Sequence, residues 1–358
     1  MKDSTSPYND MKIFKHTKKL SDLDKGLISG PIFLRIKPTN KCQHNCFYCD
    51  YLSNHAKTQK SNFNINDSID WDILKQSLID FKDIGGKSIT YSGGGEPLVY
   101  HRIENALELT KSLNLDMAII TNGQMLSKKK SDLLQDAKWI RISLDFLNEE
   151  MFKKVRRVNG KNFFIIEENI KNFINSKNKH CDVGINCVVH EYNAKYIYSL
   201  CEYVKRLGVS HIKFAALICD NTEEYHKSFK KSVTNQINDA IDTLNDNSFK
   251  VYDKYSSHFD YSAKMYRTYS KCLIMQIGAV IGADAKIYTC HDKAYDKCGC
   301  LGNLKKNTLK EIWFSNENKT LFNTFNPKII CNHHCMYDSR NILLNNYLNV
   351  DKKNINFI

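Results

Sequence analysis

Short apolar runs alternate with amphipathic stretches from Pro31 to about Leu217. Six of the apolar runs have the length and composition of strands: residues 32–36, 87–91, 116–121, 139–144, 182–190 and 211–217. Between them, apolar positions recur every three or four residues, which predicts helices over 68–84, 102–113, 128–136, 148–175 (broken near Gly160) and 194–207. Strands that alternate with such helices form a parallel sheet. Six units are too few for a closed eight-stranded barrel, so the pattern predicts an α/β fold with a partial (β/α)6 TIM-like barrel.

The last third of the chain has a different pattern. Residues 221–265 are polar, with one helix candidate at 233–244, and we interpret them as a linker. Residues 276–281 and 286–290 flank Gly282-Ala283-Asp284 and predict a β-hairpin, which a short helix at 309–313 follows. The predicted organisation is a lead segment 1–30, a core 31–220, a linker 221–265, a small hairpin-plus-helix domain 266–345 and a tail 346–358.

The composition limits the location and the partners. No stretch reaches the roughly 18 apolar residues of a membrane span, and residues 1–20 lack the apolar region of a signal peptide. We therefore expect a cytoplasmic protein without a membrane partner, in which thirteen cysteines indicate metal or redox chemistry. The net charge of +13 comes from scattered lysines without an aromatic-rich basic strand. This argues against nucleic acid as a partner and is compatible with an anionic small-molecule substrate.

Chemically active residues follow the predicted strands at the same end of each strand. Three cysteines follow the first strand, and the segment SGGGEP (residues 92–97) follows the second. Asn122 ends the third strand, Ser143 and Asp145 end the fourth, and Asn186 lies on the fifth. Because the carboxyl ends of parallel strands meet at one edge of the sheet, the sequence predicts a single site there.

The three cysteines form a compact chelating loop, Cys42-x3-Cys46-x2-Cys49. Thiolates favour zinc or an iron–sulfur cluster, and a zinc site would need a fourth ligand such as His44 or His55. With an aromatic residue before the third cysteine, the loop resembles the signature of the radical SAM (S-adenosylmethionine) superfamily. The resemblance implies a [4Fe–4S] cluster that binds SAM through its open iron. It also implies an electron donor such as flavodoxin or ferredoxin, and a 5′-deoxyadenosyl radical that abstracts hydrogen from the substrate.

The resemblance extends to the residues around SAM. Gly94, Gly95 and Glu96 match the family's GGE motif, in which glycines allow the backbone to approach the methionine ammonium and the glutamate adds an anion. The full set of cofactor contacts that the resemblance implies is Tyr48, Gly94, Gly95, Glu96, Asn122, Ser143, Arg156 and Asn186. Arg157 is adjacent to Arg156, so either arginine could be the surface residue. If Asn186 faces inward, strand alternation turns Cys187 outward into a structural position.

Four later cysteines form a second group: Cys272, Cys290, Cys331 and Cys335. Their spacing around the predicted hairpin resembles the SPASM/twitch extension of radical SAM enzymes and implies one auxiliary [4Fe–4S] cluster. A zinc ribbon is the alternative for the same thiols. The chain departs from the family pattern by a shorter final cysteine run and by Ala285 in place of the usual hairpin glycine. Cys298 and Cys300 are interpreted as loop thiols.

The implied activity is that of a radical SAM oxidoreductase or transformase. Fewer than about 30 residues precede the first strand, too few for a packed peptide-binding domain. This favours oxidation or rearrangement of a small sugar-like, polyol or nucleotide-linked substrate. Maturation of a ribosomal peptide is the alternative, and an iron–sulfur or zinc-stabilised nucleic-acid-binding protein is a hypothesis of another class. Cys219 is the candidate hydrogen donor for an epimerisation, and Lys213 is a candidate contact for an anionic substrate.

Overall fold

The structure is a computed structural model that describes residues 6–52, 62–262 and 267–356. Ten strands form one sheet in the order β10-β9-β8-β1-β2-β3-β4-β5-β6-β7. The strands are β1 Phe33–Ile36, β2 Ser88–Tyr91, β3 Asp116–Thr121, β4 Trp139–Ser143, β5 Asp182–Val189, β6 His211–Ala216, β7 Lys250–Asp253, β8 Gly278–Ile281, β9 Lys286–Tyr288 and β10 Cys300–Asn303.

Fourteen α-helices and six short 3-10 helices lie in the described residues. The α-helices are α1 Thr17–Asp24, α2 Trp71–Asp83, α3 Ile103–Ser112, α4 Lys128–Leu134, α5 Glu149–Arg156, α6 Asn162–Ser176, α7 Ile197–Arg206, α8 Thr222–His226, α9 Lys230–Leu244, α10 Tyr255–Ser262, α11 Leu309–Trp313, α12 Asn316–Thr324, α13 Pro327–Ile330 and α14 Asp338–Leu348. The 3-10 helices are Asp10–Lys15, Pro97–Val99, Ala194–Tyr196, Ile274–Gln276, Lys297–Gly299 and Lys352–Asn354. No helix of the described residues is long and apolar enough to cross a membrane.

The predicted partial barrel is confirmed. The strands β1 to β7 are all parallel and follow chain order in the sheet, with helices between them. The predicted break in the fourth helix is present, because α5 ends at Arg156 and Arg157 adopts a left-handed backbone with φ 53°. Gly160 lies in the connection, where an added Cβ would be 2.7 Å from the side chain of Glu149.

The described part of the predicted linker and helical segment, residues 221–262, is packed against the core. They contain β7, which pairs with β6, and α9, which packs on α7 through the buried side chains of Val233, Ile237 and Ala240. Gln236 of α9 also bonds to the start of α7, accepting from Ile197 N at 3.0 Å. Only one face of α9 is buried, so the segment is polar in composition although it belongs to the packed core.

The predicted hairpin is also part of the main sheet. β8 pairs with β1 in parallel, β9 pairs with β8, and β10 is a further strand that the sequence pattern did not predict. Ala285, which stands where the family pattern has glycine, has φ 59° in the hairpin turn. This is the backbone region that glycine adopts most easily. The pairing places the cysteine-rich end of the chain beside β1.

The lead segment packs on the C-terminal part of the chain. Ile13, Leu20 and Leu23 form a small apolar cluster with the residues Leu273, Ile274, Ile277 and Leu344. Ahead of them, Tyr8 contacts the early residues of two strands, with its hydroxyl 3.1 Å from His211 Nε2 and hydrogen-bonded by Arg141. Tyr8 therefore forms a floor at the amino-terminal end of the barrel interior.

Candidate active site

The cysteine loop leaves β1 and lies directly on the glycine-rich loop that follows β2. Gly95 N donates to Thr39 O at 3.0 Å, and Glu96 N donates to Lys41 O at 2.9 Å. An added Cβ would be 1.9 Å from Asn40 Oδ1 at Gly94 and 2.0 Å from Lys41 O at Gly95. Glycine is therefore required here because the cysteine loop occupies the space of a side chain. The predicted contact of these glycines with SAM stays a prediction.

Glu96 is buried and ties the glycine-rich loop to the end of β3. Its carboxylate accepts hydrogen bonds from Thr121 Oγ1 at 2.7 Å, Asn122 N at 2.8 Å and Leu98 N at 3.1 Å. Burial raises the pKa of this carboxyl, and the three donors oppose that rise. The structure thus gives Glu96 a bracing role in addition to the predicted role as a nearby anion.

The three thiols of the cysteine loop lie close enough to influence one another. Burial raises the pKa of Cys42 to about 12, and the neighbouring thiols and Glu96 add to the rise. Polar donors surround the sulfurs: Asn122 Nδ2 is 3.9 Å from Cys42 Sγ and Arg156 Nη1 is 3.1 Å from Cys46 Sγ. Such thiols ionise when a cation binds them. The three thiols and their polar donors therefore fit an iron–sulfur cluster, which Cys42, Cys46 and Cys49 would hold.

Arg156 is the centre of a buried network beside this loop. Its Nη2 forms an ion pair with Asp145 Oδ1 at 2.9 Å and donates to Ser143 O at 2.8 Å. Its Nη1 donates to Tyr48 OH at 2.7 Å, and that hydroxyl donates to Asp145. Arg157, in contrast, is exposed. The structure thus identifies Arg156 as the inward-facing arginine, and its buried Nε has no hydrogen-bond partner among the described residues.

Asp145 is the residue of this network to which the sequence analysis assigned no role. It is fully buried, and burial raises its pKa while Arg156 and Tyr48 oppose the rise. Its place directly after β4, in the segment RISLD, was the available signal. The predicted contact between Arg156 and the SAM carboxylate stays a prediction, with Nε as the unused donor.

Ser143, Asn186 and Lys213 are neighbours across three strands, in the register Ser143↔Asn186↔Lys213. Strand alternation directs them into the barrel, because the residues before them, Ile142, Ile185 and Ile212, are buried in the core under the helices. Cys187 lies on the opposite face and is fully buried, as predicted for a structural thiol. Cys219 lies in the loop after β6, where its backbone bonds to Thr222. Among the described residues it has no hydrogen bond to the groups around the triad.

The four C-terminal cysteines line one pocket. Cys272, Cys290, Cys331 and Cys335 surround it, together with Arg267, Tyr337 and Asn341. Asn341 Nδ2 is 3.5 Å from Cys272 Sγ, a donor for a thiolate at that position. Cys298 is exposed, and Cys300 points to Gly302 O; neither lines the pocket.

A zinc ion is the alternative to a cluster at either group of thiols. Within residues 6–52, 62–262 and 267–356, no group of three or more His, Cys, Asp or Glu side chains is arranged to hold a metal ion. His44 Nε2 lies 2.7 Å from Gln124 Oε1, and His55 lies outside the described residues.

Tyr295 links the C-terminal part of the chain to the cysteine loop. Its hydroxyl donates to Asn40 Oδ1 at 2.6 Å and accepts from Ala283 N, in the hairpin turn, at 3.1 Å. The residue is fully buried and has φ 67°, an uncommon backbone for a side chain of this size. Sequence reasoning missed this contact, since 255 positions separate the two side chains.

Comparison with known proteins agrees with this geometry. The model of the radical SAM superfamily matches residues 36–204, and the model of the SPASM iron–sulfur cluster-binding domain matches residues 272–336. The chain belongs to the radical SAM superfamily and carries a C-terminal SPASM domain. Its cofactors are therefore SAM, the [4Fe–4S] cluster that binds SAM, and an auxiliary [4Fe–4S] cluster. The hypothesis of a nucleic-acid-binding protein without catalytic activity loses its support.

Individual relatives of this radical SAM enzyme are distant. It is 31% identical over 160 residues to a protein named GTPase Obg from Brachyspira hyodysenteriae, and 30% identical over 154 residues to a GTP 3′,8-cyclase from Clostridium perfringens. These matches cover 41% and 40% of this chain but only 23% and 45% of the relatives. The chain thus spans less than half the length of these curated relatives. Streptococcus suis SuiB bound to precursor peptide SuiA shares the fold, with a TM-score of 0.63 at 19% identity over 88% of this chain and 72% of that chain.

Proposed function

We propose that this enzyme oxidises its substrate by removing a hydrogen atom and then an electron. The observation that carries the proposal is the position of the four-cysteine pocket. β8 pairs with β1 in parallel and β9 returns beside β8, so Cys272 and Cys290 lie at the end of the sheet where β1 begins, whereas the triad follows the end of β1. The two groups of thiols therefore lie at opposite ends of β1. Four protein thiols leave no open iron on a cluster, and such a cluster suits electron transfer better than substrate binding.

The cofactors supply the radical step when they are bound. With an electron from a donor such as flavodoxin or ferredoxin, SAM on the cluster of Cys42, Cys46 and Cys49 would supply a radical that abstracts a substrate hydrogen. The auxiliary cluster held by Cys272, Cys290, Cys331 and Cys335 would accept the electron that the substrate radical then loses, and the hydroxyl proton would pass to solvent. A CH–OH group would thereby become a carbonyl.

The protein's own residues hold and orient these groups. We propose that Cys42, Cys46 and Cys49 hold the first cluster, and that Arg156 fixes the loop by its bonds to Cys46 and to Tyr48. The remaining predicted SAM contacts surround the triad on neighbouring loops and strand ends: Gly94, Gly95, Glu96, Asn122, Ser143 and Asn186. Cys272, Cys290, Cys331 and Cys335 would hold the auxiliary cluster.

The substrate class that we propose is a small sugar-like, polyol or nucleotide-linked molecule. The half-buried and basic interior of the barrel, with Lys213 beside Asn186, supports a small anionic compound. A second candidate is a peptide, because SuiB, a structure bound to a precursor peptide, shares the fold over most of this chain.

The decisive experiment combines iron content with SAM cleavage. The protein is reconstituted without oxygen, and iron, sulfide and 5′-deoxyadenosine are measured with dithionite or reduced flavodoxin as donor. We expect about eight irons per chain, falling to about four when Cys42, Cys46 and Cys49 are all changed to Ala, with loss of 5′-deoxyadenosine. About four irons falling to none would mean that the C-terminal pocket holds no cluster, and the oxidation proposal would fail.

A further inference from the structure

The interior of the barrel holds more positive than negative charge. Four cations face it from different strands: Arg35 on β1, Arg141 on β4, Lys213 on β6 and Lys254 directly after β7. The carboxylates near this group are already engaged. Asp182 pairs with His211 at 3.4 Å, and Asp10 pairs with Arg340 at 2.8 Å.

Three of these cations have unused donors. In the described part of the chain, Nζ of Lys213 has no hydrogen-bond or ion-pair partner, and it lies 5.1 Å from the centre of the Tyr8 ring. Nε of Arg35 and Nε of Arg141 are buried and also lack a hydrogen-bond partner among the described residues. Burial lowers the pKa of Lys213 to about 7, and the charges of Arg141, Arg35 and Lys254 lower it further. Buried cations without partners destabilise a protein unless an anion neutralises them.

The position of these side chains relates them to the cofactor. Lys213 is in register with Asn186 and, one strand further, with Ser143, the two residues proposed to contact SAM from the barrel wall. Tyr8 lies below this layer, where it closes the barrel floor. Arg35 is also close enough to Tyr337 for its positive charge to oppose the rise that burial causes in the pKa of that tyrosine. Tyr337 lines the four-cysteine pocket. The unused donors thus lie between the SAM contacts, the floor and the auxiliary cluster.

We propose that Arg35, Lys213 and Lys254 bind an anionic group of the substrate, a carboxylate or a phosphate, on the floor of the barrel. This inference rests on the proposed function, because it takes the barrel interior to be the substrate site. A group held there would leave the rest of the substrate directed towards SAM. Arg141 is not part of the site, since Tyr8 already engages it.

The test uses sodium phosphate and sodium acetate as probes on the reconstituted, SAM-bound enzyme, with ionic strength held constant by sodium chloride. The thermal unfolding midpoint is measured against anion concentration for wild type, Lys213→Met and Lys254→Met. The control is Lys250→Met, which removes an exposed lysine at the start of the neighbouring strand β7. The same preparations are assayed for 5′-deoxyadenosine.

We expect one of the anions to raise the midpoint of wild type in a saturable way beyond chloride. Lys213→Met should increase the half-saturating concentration about tenfold or more, because a charge-assisted bond is lost. The same variant should unfold at a higher temperature than wild type when no anion is present, since an unpaired buried charge has been removed. Lys254→Met should weaken the response, and Lys250→Met should behave as wild type. A stronger response to phosphate indicates a phosphorylated substrate, and a stronger response to acetate indicates a carboxylate.

The inference is overturned if neither anion gives a saturable response in wild type, or if Lys213→Met responds as wild type does. If wild type still produces 5′-deoxyadenosine in that case, the proposed function stands and only the anion site fails. If wild type produces no 5′-deoxyadenosine, the proposed function itself fails.

Discussion

Replacement of Arg156 by methionine tests the buried network beside the cysteine loop. Methionine keeps the unbranched aliphatic part of the arginine side chain but removes the guanidinium. The side chains of Arg156 and Asp145 are 3% exposed or less, so Asp145 stays buried without its cation. Removing one partner of a buried ion pair costs about 3–5 kcal/mol. For 358 residues, an unfolding entropy of about 2.1 cal/mol/K per residue gives about 0.75 kcal/mol/K. The expected fall in the unfolding midpoint is therefore about 4–7 °C.

The assay is thermal and urea unfolding of the reconstituted protein, with iron content measured on the same samples. The matched control is Arg157→Met, because Arg157 is the adjacent arginine and is exposed. We expect the control to change the free energy of unfolding by less than about 0.5 kcal/mol.

A double variant separates the ion pair from simple loss of packing. Asp145→Asn combined with Arg156→Met removes both charges, so it should be more stable than Arg156→Met alone. The reasoning would be refuted if Arg156→Met lowered the free energy of unfolding by less than about 1 kcal/mol. It would also be refuted if the loss in the double variant equalled the sum of the losses in Arg156→Met and Asp145→Asn. Either result would mean that Arg156 and Asp145 do not depend on each other in the folded protein.

Three further predictions concern the barrel floor and the C-terminal pocket. The pKa of Lys213 is lowered to about 7 in the folded protein, so between pH 7 and about 10 the unfolded chain binds more protons than the folded chain does. The free energy of unfolding should therefore rise with pH there, by at most about 1.4 kcal/mol per unit from this group, and urea titrations of Lys213→Met should show a smaller slope. Asn341→Asp keeps the oxygen that accepts from Ile274 N but removes the donor to Cys272 Sγ. The reduction potential of the auxiliary cluster, measured in an EPR-monitored titration, should therefore fall by about 40 mV or more. An unchanged or higher potential would contradict this. The double variant Cys298→Ser/Cys300→Ser should retain the iron content of wild type, and a loss of about four irons would refute the four-cysteine ligand set.

Local pattern was sufficient for most of the core. The six predicted strands and the helices between them are present because alternation and the helical period are properties of neighbouring residues. The cysteine triad, the glycine-rich loop and the second group of thiols could also be recognised, since each is defined by short spacing. The helix within the predicted linker is present as α9, but its packing on the core and the four-residue strand β7 were not predicted, because both depend on distant parts of the chain.

The sequence by itself determined which residue types are available at the ends of the strands, and therefore the cofactors. The tertiary structure decided which of them face one another. It turned Arg156 inward rather than Arg157, gave Gly94 and Gly95 the task of admitting the cysteine loop, and joined the hairpin to β1. It also placed Lys213 5.1 Å from the ring of Tyr8 and near enough to Arg35 for the charge of Arg35 to lower the pKa of Lys213. Some of these contacts join residues that are more than 200 positions apart in the chain. The periodicity of a sequence, in contrast, carries information only about near neighbours.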